Sequence, residues 1–315
     1  MMRLAVIMNP TSAKGKGRSY RERIMTIAGQ YPVEIEWLSA ECALTARQAM
    51  SAAVIEGVDG LIVAGGDGTI HQAVNALGDS QIPLGILAVG SGNDIARHFK
   101  LPVHKIDHAL HQVMSGFLGQ RFHRVDVIEI SAHRPDGARM NDAAHPPVQR
   151  ALAIVSVGLD AEVNYLVNRL TWPQGNLRYV RGIIQSLRGY EPYGVKLTLN
   201  GKTQSGPITL ISAANTRFFG GGFEIAPDAL DDDGLFDVVI ARGLSLPEFA
   251  SLLPKLVMGK HLTDPRVHMI RASELLIEPA LDRGGELPMI MADGEEIMRA
   301  PAKIRLIRGG LRLVV

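Results

Sequence analysis

The chain has 315 residues, 46% of them hydrophobic and 21% charged, with a net charge of +1 at pH 7. That length can bury one large core or two ordinary ones, and the balance of signs excludes a protein whose whole surface grips nucleic acid. A single cysteine, Cys42, excludes an internal disulfide framework and suits a reducing compartment.

The first apolar run, Leu4 to Met8, stops at Asn9-Pro10 and is too short for a secretory core or a bilayer span. No other segment approaches that length, so a cytoplasmic protein is expected, with room for peripheral contact with the inner membrane surface. Leu4–Met8 reads as a buried strand followed by a polar loop with Lys14, Lys16 and Arg18. A helix follows at Tyr20–Ala28, then a strand at Val33–Leu38, a helix at Thr45–Ile55 and a strand at Gly60–Ala64. Ile70–Leu77 is helical, Leu84–Val89 a strand, and Asp94–Phe99 the start of another helix. Short continuous apolar strands alternating with helices predict a doubly wound α/β domain with a parallel sheet, over residues 1–124.

After Arg124 the texture turns to β. Val125–Ile130 alternates, and Ala132–Gln149 is polar and proline-bearing, as a surface loop would be. Lys196–Leu199 and Pro207–Ala213 flank Asn200-Gly201, a hairpin signal. Leu235–Ala241, Glu274–Ile277 and Met289–Ala292 continue the strands, with helices at Leu177–Leu187 and Pro247–Val257. A mostly β, sandwich- or barrel-like second domain is predicted over 125–299. The last run, Lys303–Val315, could close either domain, so 300–315 is open to completing the first. Leu177, Val180, Ile184 and Leu187 recur at helical spacing beside Arg178, Arg181 and Arg188, a pattern shared by helices lying on anionic lipid and by ordinary packed ones. Phe218, Phe219 and Phe223 could line a lipid groove or fill the core between sheets.

Two strands of the first domain end alike. One leads into Gly65-Gly66-Asp67-Gly68-Thr69 and the other into Gly90-Ser91-Gly92-Asn93-Asp94. Ligands of open α/β sheets bind outside the carboxyl ends of the strands, and glycine turns that aim backbone N–H groups forward suit anions. Neither turn matches the dinucleotide fingerprint, since His71 and Ile95 stand where its third glycine belongs, and neither matches the G-x-x-x-x-G-K-[ST] phosphate loop. Asp67 and Asp94 each admit a helix-cap reading. Two acids beside a polyphosphate also suit a Mg²⁺ ion that lets carboxylate and phosphate approach.

These two turns together resemble the diacylglycerol kinase catalytic-domain family, which includes soluble bacterial lipid kinases and sphingosine kinases. Asn9-Pro10 is similar to that family's N-terminal nucleotide loop. Phe219-Gly220-Gly221-Gly222, Ile225-Ala226-Pro227, Asp233-Gly234-Leu235-Phe236-Asp237 and Asp293-Gly294-Glu295 follow in family order. The resemblance implies an NAD kinase/diacylglycerol kinase-like fold and an ATP- and Mg²⁺-dependent kinase acting on a lipid hydroxyl at a membrane surface, with diacylglycerol as the default acceptor. It places Asn9, Ser39, Gly65, Gly66, Asp67, Gly68, Thr69, Ile70, His71, Ser91, Asn93 and Asp94 around ATP. Asn93 could touch the nucleotide or lock its own turn. The resemblance further implies a structural Mg²⁺ held by Asp233 and the carbonyls of Leu230 and Leu235, where the bland alternative is a solvated acidic turn. Glu295 takes the role of proton acceptor, with Asp293 supporting it, where the bland alternative is a hairpin turn. The chain departs from the bacterial pattern at His71-Gln72, which replaces the usual Asn-Glu and removes a carboxylate near the nucleotide. The Ala132–Gln149 segment stands as an insertion. An NAD kinase, a non-catalytic nucleotide sensor and a nicotinamide oxidoreductase are the competing readings, the last disfavoured by the missing third glycines. Oligomeric state is left open, a homodimer included.

Overall fold

The computed structural model describes residues 1–8, 17–133, 148–170, 172, 176–188 and 190–315. The chain divides into two compact units, Met1–Asp126 with Arg308–Val315, and Val127–Ile307. No helix among the described residues is long and apolar enough to cross a membrane.

The first unit runs β1 (Met2–Met8), α1 (Gly17–Ala28), β2 (Val33–Leu38), α2 (Ala43–Ile55), β3 (Gly60–Gly65), α3 (Asp67–Leu77), β4 (Leu84–Ala88), the short α4 (Asp94–His98) and α5 (Ile106–Leu118). All pairings among the four strands are parallel, in the order β2-β1-β3-β4. Every residue of β3 and β4 is buried, because helices cover both sheet faces. On one face Leu4, Val6, Ile62 and Leu87 pack with Ile24 of α1 and with Leu110, Val113 and Phe117 of α5. On the other, α2 and α3 pack together and bury Met50, Ala53, Ile70, Ala73 and Val74. This is the doubly wound layer that the alternating pattern predicts. It gains α5, whose Ile106, Leu110, Val113 and Phe117 keep helical spacing.

β5 (Phe122–Ala132) belongs to the first unit through Asp126 and to the second from Val127. The second unit continues with β6 (Gln149–Ala151), β7 (Ile154–Gly158), α6 (Leu159–Arg169), α7 (Asn176–Ser186), β8 (Tyr193–Leu199), β9 (Lys202–Ala214), β10 (Phe218–Phe219), β11 (Phe223–Glu224) and β12 (Phe236–Arg242). Then come α8 (Leu246–Val257), a 3-10 turn at His261–Thr263, β13 (Val267–Ala272), β14 (Glu274–Pro279), β15 (Ile290–Ala292), β16 (Glu295–Met298) and β17 (Ala302–Val314). Asn200 and Gly201 join β8 to β9 with φ of 49° and 75°, the left-handed pair that a tight primed hairpin turn requires. β9 holds the sandwich together. Its first half pairs with β8, and its second half pairs with β7 on one side and β12 on the other. β17 divides as the sequence left open: it is in the second unit through Ile307 and in the first from Arg308, where Leu313 pairs in parallel with Leu84.

The basic helical pattern falls on α7, where Ile184 is exposed; the side chains of Leu177 and Val180 lie outside the described residues. Phe218, Phe219 and Phe223 form the small β10–β11 hairpin, half-buried, with the rings of Phe219 and Phe223 6.0 Å apart.

Candidate active site

The chain leaves β1 toward β2 on one side, then returns to build β3 and β4 on the other. The switch of direction lies between β1 and β3, and Gly66 follows β3. The two glycine turns meet at the carboxyl ends of the neighbouring strands β3 and β4. A Cβ added to Gly90 would lie 2.4 Å from Gly66 Cα, and one added to Gly66 would lie 3.1 Å from Gly90 Cα. Backbone touches backbone, which only glycine on both sides permits. Val89 N and Gly90 N both donate to the Gly65 carbonyl, at 3.0 and 3.2 Å.

The carboxylate of Asp67 answers to the opposite turn. Its Oδ2 accepts from Asp94 N and its Oδ1 from Ile95 N, each at 3.1 Å. Asp67 therefore caps α4, an element 27 residues away, rather than its own helix. A carboxylate on the half-buried outer edge of the turn also fits a hard cation. Asn93 is the lock. It sits at φ 56°, its Oδ1 accepts from Gly90 N at 3.0 Å, and its Nδ2 donates to the Gly90 carbonyl at 2.7 Å. With 1% of its surface exposed and both ends of its amide used, Asn93 shapes the turn rather than meeting a ligand. Asp94 is buried and paired with Arg97, whose other nitrogen reaches the Gly92 carbonyl at 3.3 Å.

The predicted nucleotide residues thus separate. Gly66, Asp67, Gly68 and Gly92 are half-buried at the mouth, and Ser91 is exposed, as is Ser39 just past β2. Gly65, Thr69, Ile70 and His71 are buried. Ile70 belongs to the core, and His71 Nε2 lies 3.3 Å from Asn75 Nδ2, inside α3. Asn9 and the lysines at 14 and 16 lie outside the described residues.

In the second unit, Asp293-Gly294 joins β15 to β16 with φ of 51° and 87°. The Asp293 carboxylate accepts three backbone N–H groups, from Leu152 at 2.9 Å, Ala153 at 2.9 Å and Ile154 at 3.1 Å, while Asp293 N donates to the Ile154 carbonyl. Asn215 holds the same loop from the other side: its Nδ2 donates to the Leu152 carbonyl and its backbone N to that of Ala153. These hydrogen bonds of Asp293 anchor the hairpin to the β6–β7 loop. Glu295 follows, half-buried, on the wall of a recess of about 540 Å³ lined by Asn168, Arg169, Glu295 and Glu296. Arg169 pairs with Glu296 at 2.9 Å. Glu295 has no ion pair or side-chain hydrogen bond among the described residues. At the other end of α6, the Asp160 carboxyl is buried. Burial pushes it up to about 6, against the pull of hydrogen bonds from Ser212 (2.5 Å) and Ser156.

At the predicted structural cation site, one oxygen of Asp233 accepts from Leu235 N at 3.0 Å and the other is paired with Arg271, whose guanidinium also lies 3.6 Å from Asp237. The Leu230 side chain is exposed.

The residues that the sequence reading passes over are Asn168 and Arg169 of α6 and the loop Leu152–Ile154. The helix had a signal: Asp160 and Glu162 in the first turn, with Leu159, Val163 and Val167 at helical spacing.

A doubly wound layer with paired glycine turns and a β-sandwich carrying an acidic hairpin define a class of two-domain kinases. Residues 3–130 match the diacylglycerol kinase catalytic domain, and residues 153–315 match the YegS C-terminal NAD kinase beta sandwich-like domain. Over 99% of its length the chain is 28% identical to a diacylglycerol kinase of Mycobacterium tuberculosis (strain ATCC 25618 / H37Rv), covering 94% of that protein. It is 28% identical to a diacylglycerol kinase of Bacillus subtilis (strain 168), covering 88% of this chain and 86% of that one. A crystal structure of a diacylglycerol kinase from Bacillus anthracis str. Sterne superposes with a TM-score of 0.72 at 21% identity, covering 99% of this chain and 96% of the other. The chain belongs to the diacylglycerol kinase family and is a lipid kinase.

Proposed function

We propose that the protein transfers the terminal phosphoryl group of ATP to the hydroxyl of a diacylglycerol-like lipid presented at a membrane surface, with Glu295 as proton acceptor. The observation that carries the reading is the contrast within one hairpin. Asp293 and Glu296 are engaged, while Glu295 lines an open recess with no partner among the described residues. A general base needs that combination: a carboxylate held on a fixed turn, with its oxygens open to a substrate.

The first unit provides for the nucleotide. Gly66, Gly68 and Ser91 stand at the mouth of the paired turns, where backbone N–H groups suit phosphate. Asp67, on the same edge, would hold Mg²⁺, which supplies charge neutralisation to the phosphates. As the acceptor oxygen bonds to phosphorus, its proton passes to Glu295 and the bond to the leaving ADP oxygen breaks. Phosphoryl transfer asks mainly for positioning and charge balance, so one base together with such donors is a sufficient set.

The test is transfer from labelled ATP, with Mg²⁺, to lipids in mixed micelles. An organic-extractable labelled product is expected with diacylglycerol. Glu295→Gln should lower transfer about 100- to 10,000-fold while leaving ATP binding within about twofold, since it removes the base and keeps the shape. Transfer to NAD alone, or undiminished activity in the variant, would reject the assignment.

A further inference from the structure

Helix α6 links a buried anchor to the hairpin that carries Glu295. Its first turn is fixed by Asp160, which Ser212 holds at 2.5 Å. Its last turn reaches the hairpin twice. Asn168 Nδ2 donates to the Gly294 carbonyl at 2.6 Å, and Arg169 donates to Glu296 at 2.9 Å. The Arg169 guanidinium is itself held, 3.4 Å from the centre of the Tyr165 ring and 3.1 Å from the Tyr165 carbonyl.

The Gly294 carbonyl belongs to the peptide whose nitrogen is that of Glu295. Fixing that carbonyl fixes the peptide plane, and with it the position of Glu295 Cα, from which the side chain leaves the backbone. The turn needs such a clamp. Gly294 sits at φ 87°, and a Cβ placed on it would meet nothing within 4 Å, so no side-chain packing restrains it.

We propose that Asn168 is a positioning residue, which orients Glu295 through the Gly294–Glu295 peptide. This rests on the reading of Glu295 as proton acceptor. Reactive groups must be held to within about half an ångström, and a displacement near 1 Å can cost about a hundredfold in rate. Asn168 is exposed, so its loss barely changes the packed core.

The experiment measures kcat and KM for ATP and for diacylglycerol in mixed micelles, together with the unfolding temperature. Asn168→Ala should lower kcat about 10- to 100-fold, with both KM values within about twofold and the unfolding temperature within about 2 °C of the parent. Asn168→Asp keeps the size but sets a carboxylate against the Gly294 carbonyl, so it should not restore the rate. Asn168→Gln keeps the donor and should recover part of it. Because Asn168 acts through Glu295, adding Asn168→Ala to Glu295→Gln should cost nothing further. Normal kcat in Asn168→Ala, full activity in Asn168→Asp, or additive losses in the double variant would each overturn the proposal. If Glu295→Gln alone keeps full activity, the proton-acceptor reading fails first and is identified as the failure.

Discussion

Replacing Asp293 by Ala tests whether this acid serves chemistry or architecture. The substitution leaves the N–H groups of Leu152, Ala153 and Ile154 without their acceptor, in residues that are 0%, 5% and 5% exposed. A buried donor left unsatisfied costs about 1–3 kcal/mol. Three together would exceed the range that single substitutions reach, where losses above about 4–5 kcal/mol are exceptional, and water entering the half-buried turn offsets part. A net loss of about 3 kcal/mol follows. For a unit of this size each kcal/mol lowers the unfolding temperature by about 2–4 °C, so calorimetry should show the second unit melting about 6–12 °C earlier. Asp293→Asn sharpens the test. Its amide offers one oxygen and sets an NH₂ against at least one backbone N–H, so it should melt well below the parent although it is isosteric. Unfolding of Asp293→Ala within about 2 °C of the parent would refute the anchoring role and return Asp293 to the chemistry.

Gly90→Ala places a methyl 2.4 Å from Gly66 Cα and 2.9 Å from Asn93 Oδ1, so a backbone must move; a cost of about 1–3 kcal/mol to the first unit and weaker ATP binding are expected. Gly206→Ala, whose Cβ would meet nothing within 4 Å, is the matched control, and equal behaviour of the two in calorimetry and nucleotide titration would contradict the paired-turn account. Asp160 gives a pH signature: its folded value of about 6 lies above the ordinary 3.8, so the folded chain binds more protons and stability falls as pH rises from about 4 to about 6. At about 1.36 kcal/mol per pH unit the loss is bounded near 3 kcal/mol, and it should vanish in Asp160→Asn; urea unfolding at pH 4.5 and 7.5 that shows no difference in slope between the two proteins would contradict this.

The parts of this molecule legible in the sequence are those written in local pattern. The continuous apolar runs of β1, β3 and β4 and the Asn200-Gly201 turn state their own conformation. The glycines at 66 and 90 mark a close approach of two backbones, tightest at Gly90. α5 and α6 are equally periodic, and their spacing suffices to find them. Side-chain destinations are another matter. The acceptor role of Asp67 is played toward a backbone 27 residues on, and that of Asp293 toward one about 140 residues back. Nothing in the flanking residues encodes either partner, since both depend on how distant turns are brought together by the sheet. Ile70 and His71 show the converse. The resemblance implies that they lie near the nucleotide, and the fold buries both residues.

The three acids that mark the motifs are therefore unequal, and their hydrogen bonds rank them. Asp67 and Asp293 spend their oxygens on backbone N–H groups, and Asp233 spends one on an N–H and one on a guanidinium. Their oxygens already serve as acceptors for the fold. Asp67 joins the two glycine turns, and Asp293 seats the hairpin. Glu295, on the strand just beyond, is the carboxylate of that hairpin with capacity to spare, and its usefulness as a base depends on the neighbours that have none.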